Sequence, residues 1–327
     1  MRPRLLPDTH LLPSAQGVVI RGPRHTAAFP MPEIYPWLER IRPFLDGGSR
    51  LDELVADLAP QAERQVRALV ELLLREGFVR DAEGDLPHGL SPGVRAHHSA
   101  LIDFIALRAD SPEHRFELYR NCAPVVVGSG HMASAVVLSL LASGVEYVRL
   151  SVAEAGGRTE IRMDAARRDE CVELLRRDGG SFRYEALPAG LGRLPVDAGV
   201  VVLASDEFDR ELTRRVRELA ARTGLVHGQA VASGRYAYIN TACSSDAAAL
   251  AGPGSGGGPE GDGIQDPGPC LGGPVAALAA NQLCLQLLCQ VARLDEWESG
   301  GGTPAPAGAV LDLATARFLT AQPAQPA

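Results

Sequence analysis

The pattern of apolar and polar residues changes period along the chain and divides it into two parts. In the first part, "THLLPSAQGVVIRGPRHTAAFP" holds short apolar runs separated by turn residues, which predicts three strands of a small antiparallel sheet. Three segments with helical spacing follow: "IYPWLERIRPFLDGG", "SRLDELVADLA" and "QAERQVRALVELLLREG". Three strands and three helices predict a winged-helix-like module over residues 1–85.

From Val125 onwards, buried strands alternate with amphipathic helices. The apolar runs "APVVVGSG", "EYVRLSV" and "AGVVVLASD" are typical of strands that are buried on both faces. Their alternation with helices predicts a mainly parallel, doubly wound Rossmann-like α/β domain over residues 121–298. Residues 86–120 are predicted to form a connector and a linking helix. Residues 299–327, rich in glycine, proline and alanine, are predicted to form a flexible tail.

A glycine turn connects the first of these buried strands to its helix. The turn contains Gly128 and Gly130 in a GxGxxA arrangement, which can cradle a phosphate and can equally serve tight packing without a ligand. A dinucleotide site usually has an acidic residue at the end of the second strand, which binds the ribose hydroxyls. Ser151 stands at that position and Glu154 comes later. The sequence therefore does not favour an NAD(P)-dependent oxidoreductase, which stays open as one alternative.

Composition and charge exclude several classes of function. The chain has no lysine, which rules out lysine Schiff bases and a Walker A lysine. None of its six cysteines forms a CxxC pair, so we expect no zinc site. The formal net charge of -8 argues against nucleic acid as a partner. No apolar run reaches the length of a signal peptide or a membrane span, so we expect a cytoplasmic protein without a membrane partner.

The glycine turn, Asp206 in "LASDEF" and the "GPC" that ends at Cys270 resemble the ThiF-like family of ubiquitin-activating-type enzymes. Such enzymes adenylate a C-terminal carboxylate. The resemblance implies that Gly128, Gly130 and Asp206 form the nucleotide site. The family's ribose aspartate, phosphate lysine and zinc-binding CxxC pairs are missing here. We therefore expect a degenerate domain with a vestigial nucleotide site and no adenylation activity of its own.

The order of the two domains extends this resemblance. A small winged-helix-like module fused to a degenerate ThiF-like domain resembles the ocin-ThiF-like, leader-peptide-binding partner proteins of azole-forming (TOMM) and thiopeptide antibiotic or bacteriocin pathways, whose front module is a RiPP recognition element. The resemblance implies a non-catalytic scaffold that binds the leader of a ribosomal precursor peptide. The scaffold presents the core peptide to a YcaO-type cyclodehydratase for thiazoline or oxazoline formation.

This resemblance also carries expectations about cofactors and partners. It implies that the partner enzyme uses the ATP, that this chain binds no cofactor or metal, and that the ThiF-like domain is a docking and homodimerisation surface. The alternative is an active adenylating enzyme. In that case Gly128, Gly130 and Asp206 hold ATP and magnesium, and Cys270 accepts an acyl group.

The leader is expected to bind by β-augmentation, in which an extended peptide pairs with an exposed edge strand. Apolar residues of the third helix would form the floor of a groove, and its arginines would pair with an acidic leader. The same apolar residues fit a core equally well, and the arginines could be solvated. The candidate peptide-binding residues are Thr26, Ala27, Ala28, Phe29, Arg64, Val66, Arg67, Leu69, Val70 and Leu73.

Overall fold

The structure, a computed structural model, divides into two compact units. The first comprises Met1–Gly89 and Ser99–His114, and the second comprises Leu90–His98 and the chain from Arg115 onwards. The segment 86–120, predicted to be a connector, is therefore shared between the two units. The residues that the structure describes are 1–152, 169–173, 176, 183–187, 194–242, 271, 273–294 and 308–319.

Helices and strands occur in both units and are numbered here in chain order. They are β1 (Pro3–Leu5), β2 (His10–Ser14), β3 (Gly17–Arg21), β4 (Thr26–Phe29), α1 (Ile34–Ile41), α2 (Leu51–Val55), α3 (Pro60–Arg75), β5 (Val79–Asp81), α4 (Pro92–His97), α5 (Ser99–Ala106), α6 (Pro112–Arg120), β6 (Val125–Ser129), α7 (Gly130–Ala142), β7 (Tyr147–Val152), β8 (Arg183–Leu187), β9 (Val200–Ser205), α8 (Arg210–Thr223), β10 (Val226–Ser233), β11 (Tyr236–Ala242), α9 (Pro274–Val291), β12 (Gly308–Asp312) and β13 (Arg317–Leu319).

The first unit contains the predicted three strands and three helices. Strands β2, β3 and β4 form an antiparallel sheet with β3 in the centre, and helices α1, α2 and α3 pack with it around one core. Strands β1 and β5 add a two-stranded sheet that the sequence pattern did not predict. Each of these two strands has only three residues, which is too short to display a period of two.

A partly buried ion pair attaches residues 99–114 to the N-terminal strand of the same unit. The Arg4 guanidinium donates hydrogen bonds to both carboxylate oxygens of Glu113, at 2.9 and 2.5 Å. Burial opposes ionisation of Glu113, but the hydrogen bonds and the positive charge of Arg4 together outweigh it and lower the pKa of the carboxyl group. The backbone N–H of Ser111 also donates to Asp85 at 3.0 Å.

The second unit contains a mixed eight-stranded sheet with the order β13-β12-β11-β10-β9-β6-β7-β8. The five strands from β10 to β8 are parallel, and β11, β12 and β13 are antiparallel additions. Successive residues of β9 face opposite layers: Val201 packs with α8, and Val202 lies on the side of α9. The predicted doubly wound Rossmann-like fold is confirmed, with helices on both faces.

The strand order reverses at β6, because the chain continues to β7 and β8 on one side and then returns to β9 and β10 on the other. Open α/β sheets bind their ligands at such a switch point, beyond the carboxyl ends of the strands. Here the switch point lies between the ends of β6 and β9. The fold therefore places the glycine turn and Asp206 at the same crevice.

Residues 308–319 differ from the predicted flexible tail, because they form β12 and β13 at the edge of the sheet. Leu311 and Leu313 are buried, and Asp312 accepts two hydrogen bonds from the Arg235 guanidinium at 2.9 and 2.6 Å. The short apolar run of β12 follows a long glycine- and proline-rich stretch, so the sequence pattern did not indicate strands there.

Helix α9 is long and apolar enough to cross a membrane by length and composition alone. Its Leu283, Leu287 and Leu288 are buried, and the helix packs against α7, β10 and β11. These contacts are those of a core helix in an α/β fold.

Candidate functional site

The glycine turn brings the end of β6 unusually close to β9. Gly128 has φ +147°, and a Cβ atom there would lie 1.7 Å from the carbonyl oxygen of Ala204. Gly130 opens α7 with φ +78°. Only glycine combines this backbone conformation with so close an approach, so both glycines are needed for the geometry of the turn.

Asp206 follows β9 directly, and its carboxylate lies on the N-terminus of α7. Its Oδ2 accepts a hydrogen bond from the backbone N–H of His131 at 2.8 Å, and its Oδ1 accepts one from that of Met132 at 2.8 Å. A Cβ atom on Gly130 would lie 2.2 Å from Oδ2. A helix N-terminus favours negative charge and binds anions, including phosphates. The carboxylate thus occupies an anion-binding position.

The structure therefore brings together all three residues predicted for the nucleotide site, Gly128, Gly130 and Asp206. The sequence did not reveal that the carboxylate contacts the helix N-terminus, because that contact depends on β9 lying beside β6. Ser151 is only 3% exposed within β7, so it does not supply a ribose ligand at the surface. Glu154 and Cys270 lie outside the described residues.

The donor set at this crevice fits a magnesium nucleotide. Backbone N–H groups suit phosphate oxygens, and a carboxylate is a ligand that Mg²⁺ prefers. Within the described ranges no cluster of three or more His, Cys, Asp or Glu side chains could hold a metal ion by itself. Magnesium would accordingly arrive with the nucleotide and be held by Asp206 and by phosphate oxygens.

A second candidate site begins at β4, which is an edge strand. It pairs with β3 on one side, and none of the described residues pairs with its other side. The hairpin closes with the Gly22 N–H donating to the His25 carbonyl, so alternation along the ladder directs the N–H groups of Thr26 and Ala28 outwards. The predicted edge residues Thr26, Ala27, Ala28 and Phe29 are the four residues of this strand.

An apolar groove of about 580 Å³ continues from the end of β4. Met31, which is 46% exposed, and Trp37 line it on one side, and Leu69 and Leu72 of α3 line it on the other. Its remaining lining residues are Pro30, Pro32, Glu33, Ile34, Gln65 and Ala68. An edge strand followed by an apolar groove suits an extended peptide with apolar side chains.

Three of the four apolar residues predicted for the groove belong to the core instead. Val66, Val70 and Leu73 are 6%, 0% and 1% exposed and pack in the core of the first unit. Leu69 alone lies in the groove. The groove residues Met31, Trp37 and Leu72 were not predicted from the sequence. The signal for Leu72 was a second apolar stripe on α3, formed by Ala68, Leu69 and Leu72.

The two predicted arginines differ in their surroundings. Arg67 donates to Glu63 at 3.0 Å and to Asp52 at 2.7 Å, so its charge is already paired within the module. Arg64 is exposed and forms no ion pair with the part of the chain that the structure describes. Arg64 is therefore the better candidate to meet an acidic peptide.

Solved structures match nearly the whole chain, although no family model and no curated protein sequence matches it. Escherichia coli MccB with ATP is 12% identical, with a TM-score of 0.56 over 98% of this chain and 96% of that one. The microcin C7 biosynthetic enzyme MccB in complex with N-formylated MccA gives 12%, 0.55 and the same coverage. PaaA gives 13% identity and a TM-score of 0.61 over 95% of this chain and 97% of that one.

This likeness shows the fold and confirms the expected ThiF-like architecture. It contradicts the prediction that the chain is not an enzyme, because a biosynthetic enzyme solved with ATP shares the fold over almost its full length. That prediction was based on the absence of the family's phosphate lysine and ribose aspartate, which was taken to mean a loss of activity. The YcaO-type partner, the homodimer and the absence of a cofactor are not tested by these comparisons and stay predictions.

Proposed function

We propose that this chain is an ATP-dependent adenylating enzyme that binds a ribosomal precursor peptide through its N-terminal module and activates a carboxylate of that peptide. One observation carries the proposal: the Asp206 carboxylate sits on the N-terminus of α7 at the switch point of a ThiF-like sheet. The match to MccB solved with ATP supports it.

The nucleotide half of the proposal rests on the crevice between β6 and β9. The N–H groups of His131 and Met132 donate to Asp206 in the structure. They suit a phosphate oxygen when the Asp206 carboxylate instead holds the accompanying magnesium. Since the chain has no lysine, any side-chain cation that neutralises the rest of the triphosphate is arginine or histidine. Arginine binds phosphate through two parallel hydrogen bonds, so it can take the place of lysine.

The reaction that suits this site is acyl adenylation. A carboxylate oxygen of the peptide forms a bond to the α-phosphorus of ATP, and the bond to the bridging oxygen breaks. Pyrophosphate leaves with that electron pair, and an acyl adenylate remains. Magnesium would neutralise the charge that develops on the leaving pyrophosphate.

The peptide half rests on β4 and the adjoining groove. The outward N–H groups of Thr26 and Ala28 can pair with an extended backbone, and the Trp37 and Leu69 side chains can accept apolar side chains of the leader. Arg64 lies on the exposed side of α3, where it can meet an acidic residue. Holding the leader raises the local concentration of the reactive carboxylate, so the active site need not recognise it strongly.

Fluorescence polarisation with the full chain tests the peptide half, with labelled short peptides from any small open reading frames beside this gene as probes. We expect Leu69→Asp and Leu72→Asp to weaken binding at least tenfold, because each places a charge in the apolar groove. Leu74→Asp is the matched control, since Leu74 lies on the same helix, is 38% exposed and does not line the groove. Equal affinities for all three variants would refute peptide binding at this groove.

A further inference from the structure

We infer that Asp206 is a built-in competitor for the nucleotide phosphate, and that magnesium releases the site from it. The inference rests on the proposed function and describes how the same site is regulated. In the structure the carboxylate uses both of the N–H groups that a phosphate would need, those of His131 and Met132, at 2.8 Å each. Phosphate and carboxylate cannot accept the same two hydrogen bonds at once.

Asp206 differs from an ordinary helix cap. A helix is normally capped by the residue that precedes it, but the Ser129 side chain makes no capping hydrogen bond to α7. The cap comes instead from an acid that lies about 75 residues further along the chain, at the end of a neighbouring strand. The missing Cβ atom of Gly130 provides the space for it, because that atom would lie 2.2 Å from Oδ2.

Electrostatics makes the competition depend on the metal. Metal-free ATP carries about four negative charges and would meet a carboxylate at the position that its phosphate must take. When Mg²⁺ accompanies the nucleotide, the carboxylate can turn from the backbone donors to the metal. The two N–H groups then become free for a phosphate oxygen. The site therefore excludes free nucleotide and free pyrophosphate and admits the magnesium complex.

Calorimetric titration of the full chain tests this inference with two ligands, ATP and inorganic pyrophosphate, each with excess Mg²⁺ and with EDTA. We expect wild-type protein to bind ATP at least tenfold more weakly in EDTA than with Mg²⁺. Asp206→Ala should bind metal-free ATP and metal-free pyrophosphate at least tenfold more tightly than wild type, because both N–H groups are vacated. It should also lose the gain from Mg²⁺.

If the alanine variant fails to fold, the same titration of Asp206→Asn tests the inference. Its amide oxygen can still accept one hydrogen bond but carries no charge, so its affinity for metal-free ligands should lie between those of wild type and alanine. Asp209→Ala is the matched control, since Asp209 caps the N-terminus of α8 through the Leu212 N–H at 2.9 Å. Its binding of both ligands should equal that of wild type.

Two adverse outcomes are distinguishable. If wild type binds metal-free ATP as tightly as the Asp206 variants do, Asp206 does not compete and the inference fails, while the proposed function stands. If neither wild type nor any variant binds ATP with or without Mg²⁺, the proposed function fails and the inference fails with it.

Discussion

At the scale of single residues, Gly128 and Gly130 are required because they have no Cβ atom. A Cβ atom at residue 128 would clash with a backbone carbonyl of β9, and a Cβ atom at residue 130 would clash with the Asp206 carboxylate in the position that it takes in the structure. The sequence predicted that these glycines and Asp206 belong to one site. It could not predict the contact among them, because residues 128 and 206 become neighbours only through the strand order.

Gly128→Ala should lower the free energy of unfolding by about 3 kcal/mol or more, because its Cβ atom would lie 1.7 Å from a backbone oxygen that cannot move freely. Gly224→Ala is the matched control, since Gly224 also has positive φ, +72°, with nothing within 4 Å of the added atom. It should lose only about 1 kcal/mol. Urea denaturation measures both, and equal losses would contradict the packing role of Gly128.

His227 in β10 should make the stability of the second unit depend on pH. Burial, together with the smaller effect of the Arg217 charge, lowers the pKa of its imidazole from 6.5 to about 4. Both ring nitrogens are buried, and neither has a hydrogen-bond partner in the described structure. The imidazole of the unfolded chain thus binds a proton near pH 6.5, whereas that of the folded protein binds it only near pH 4. The free energy of unfolding therefore falls as the pH drops from about 6.5 towards 4.

When the pH falls from 7 to 5, this imidazole should lower the free energy of unfolding by about 2 kcal/mol. The His227→Gln variant lacks the imidazole and should not show this part of the decrease. Denaturant unfolding of wild type and variant at the two pH values measures the difference. If both proteins lose the same stability, the pKa of His227 does not differ between the folded and the unfolded state.

At the scale of elements, helix α3 explains why the groove was only partly predictable. The helical period correctly placed apolar residues along it, but the helix carries two apolar stripes that face different surroundings. Val66, Val70 and Leu73 face the core, whereas Leu69 and Leu72 face the groove. Periodicity alone cannot tell which stripe meets solvent, because that depends on where α1 and β4 pack.

Strand β4 could be predicted as an edge, since its turn residues and short apolar run mark the end of a hairpin. Ala28→Pro should weaken binding of the precursor peptide at least tenfold with little loss of stability, because it removes an outward N–H donor. Ala27→Pro, the matched control, removes an N–H that pairs with β3 and should lower the melting temperature clearly. Fluorescence polarisation and thermal melts separate the two effects.

At the scale of the whole molecule, the alternating strand and helix pattern was sufficient to predict the doubly wound sheet. It was not sufficient to predict the antiparallel strands β12 and β13, because their few apolar residues follow a long glycine- and proline-rich stretch. Residue composition suggested a tail there, whereas burial of Leu311 and Leu313 makes the segment part of the sheet.

A chain that ends at residue 307 should therefore be strongly destabilised, since it loses both buried leucines and leaves Arg235 without Asp312. Burying two leucine side chains contributes about 3 to 6 kcal/mol. The full chain is the comparison in a thermal melt. An unchanged melting temperature for the shortened chain would contradict a structural role for β12 and β13.

Peptide-dependent exchange of labelled pyrophosphate into ATP tests the central claim most directly, because it requires peptide recognition, nucleotide binding and reversible adenylation in the same molecule. With Mg²⁺ and the precursor peptide carrying a free carboxylate, we predict label in ATP. The same peptide with its carboxylates converted to amides should give none. Tight peptide binding without any exchange would contradict the claim that this chain is an adenylating enzyme.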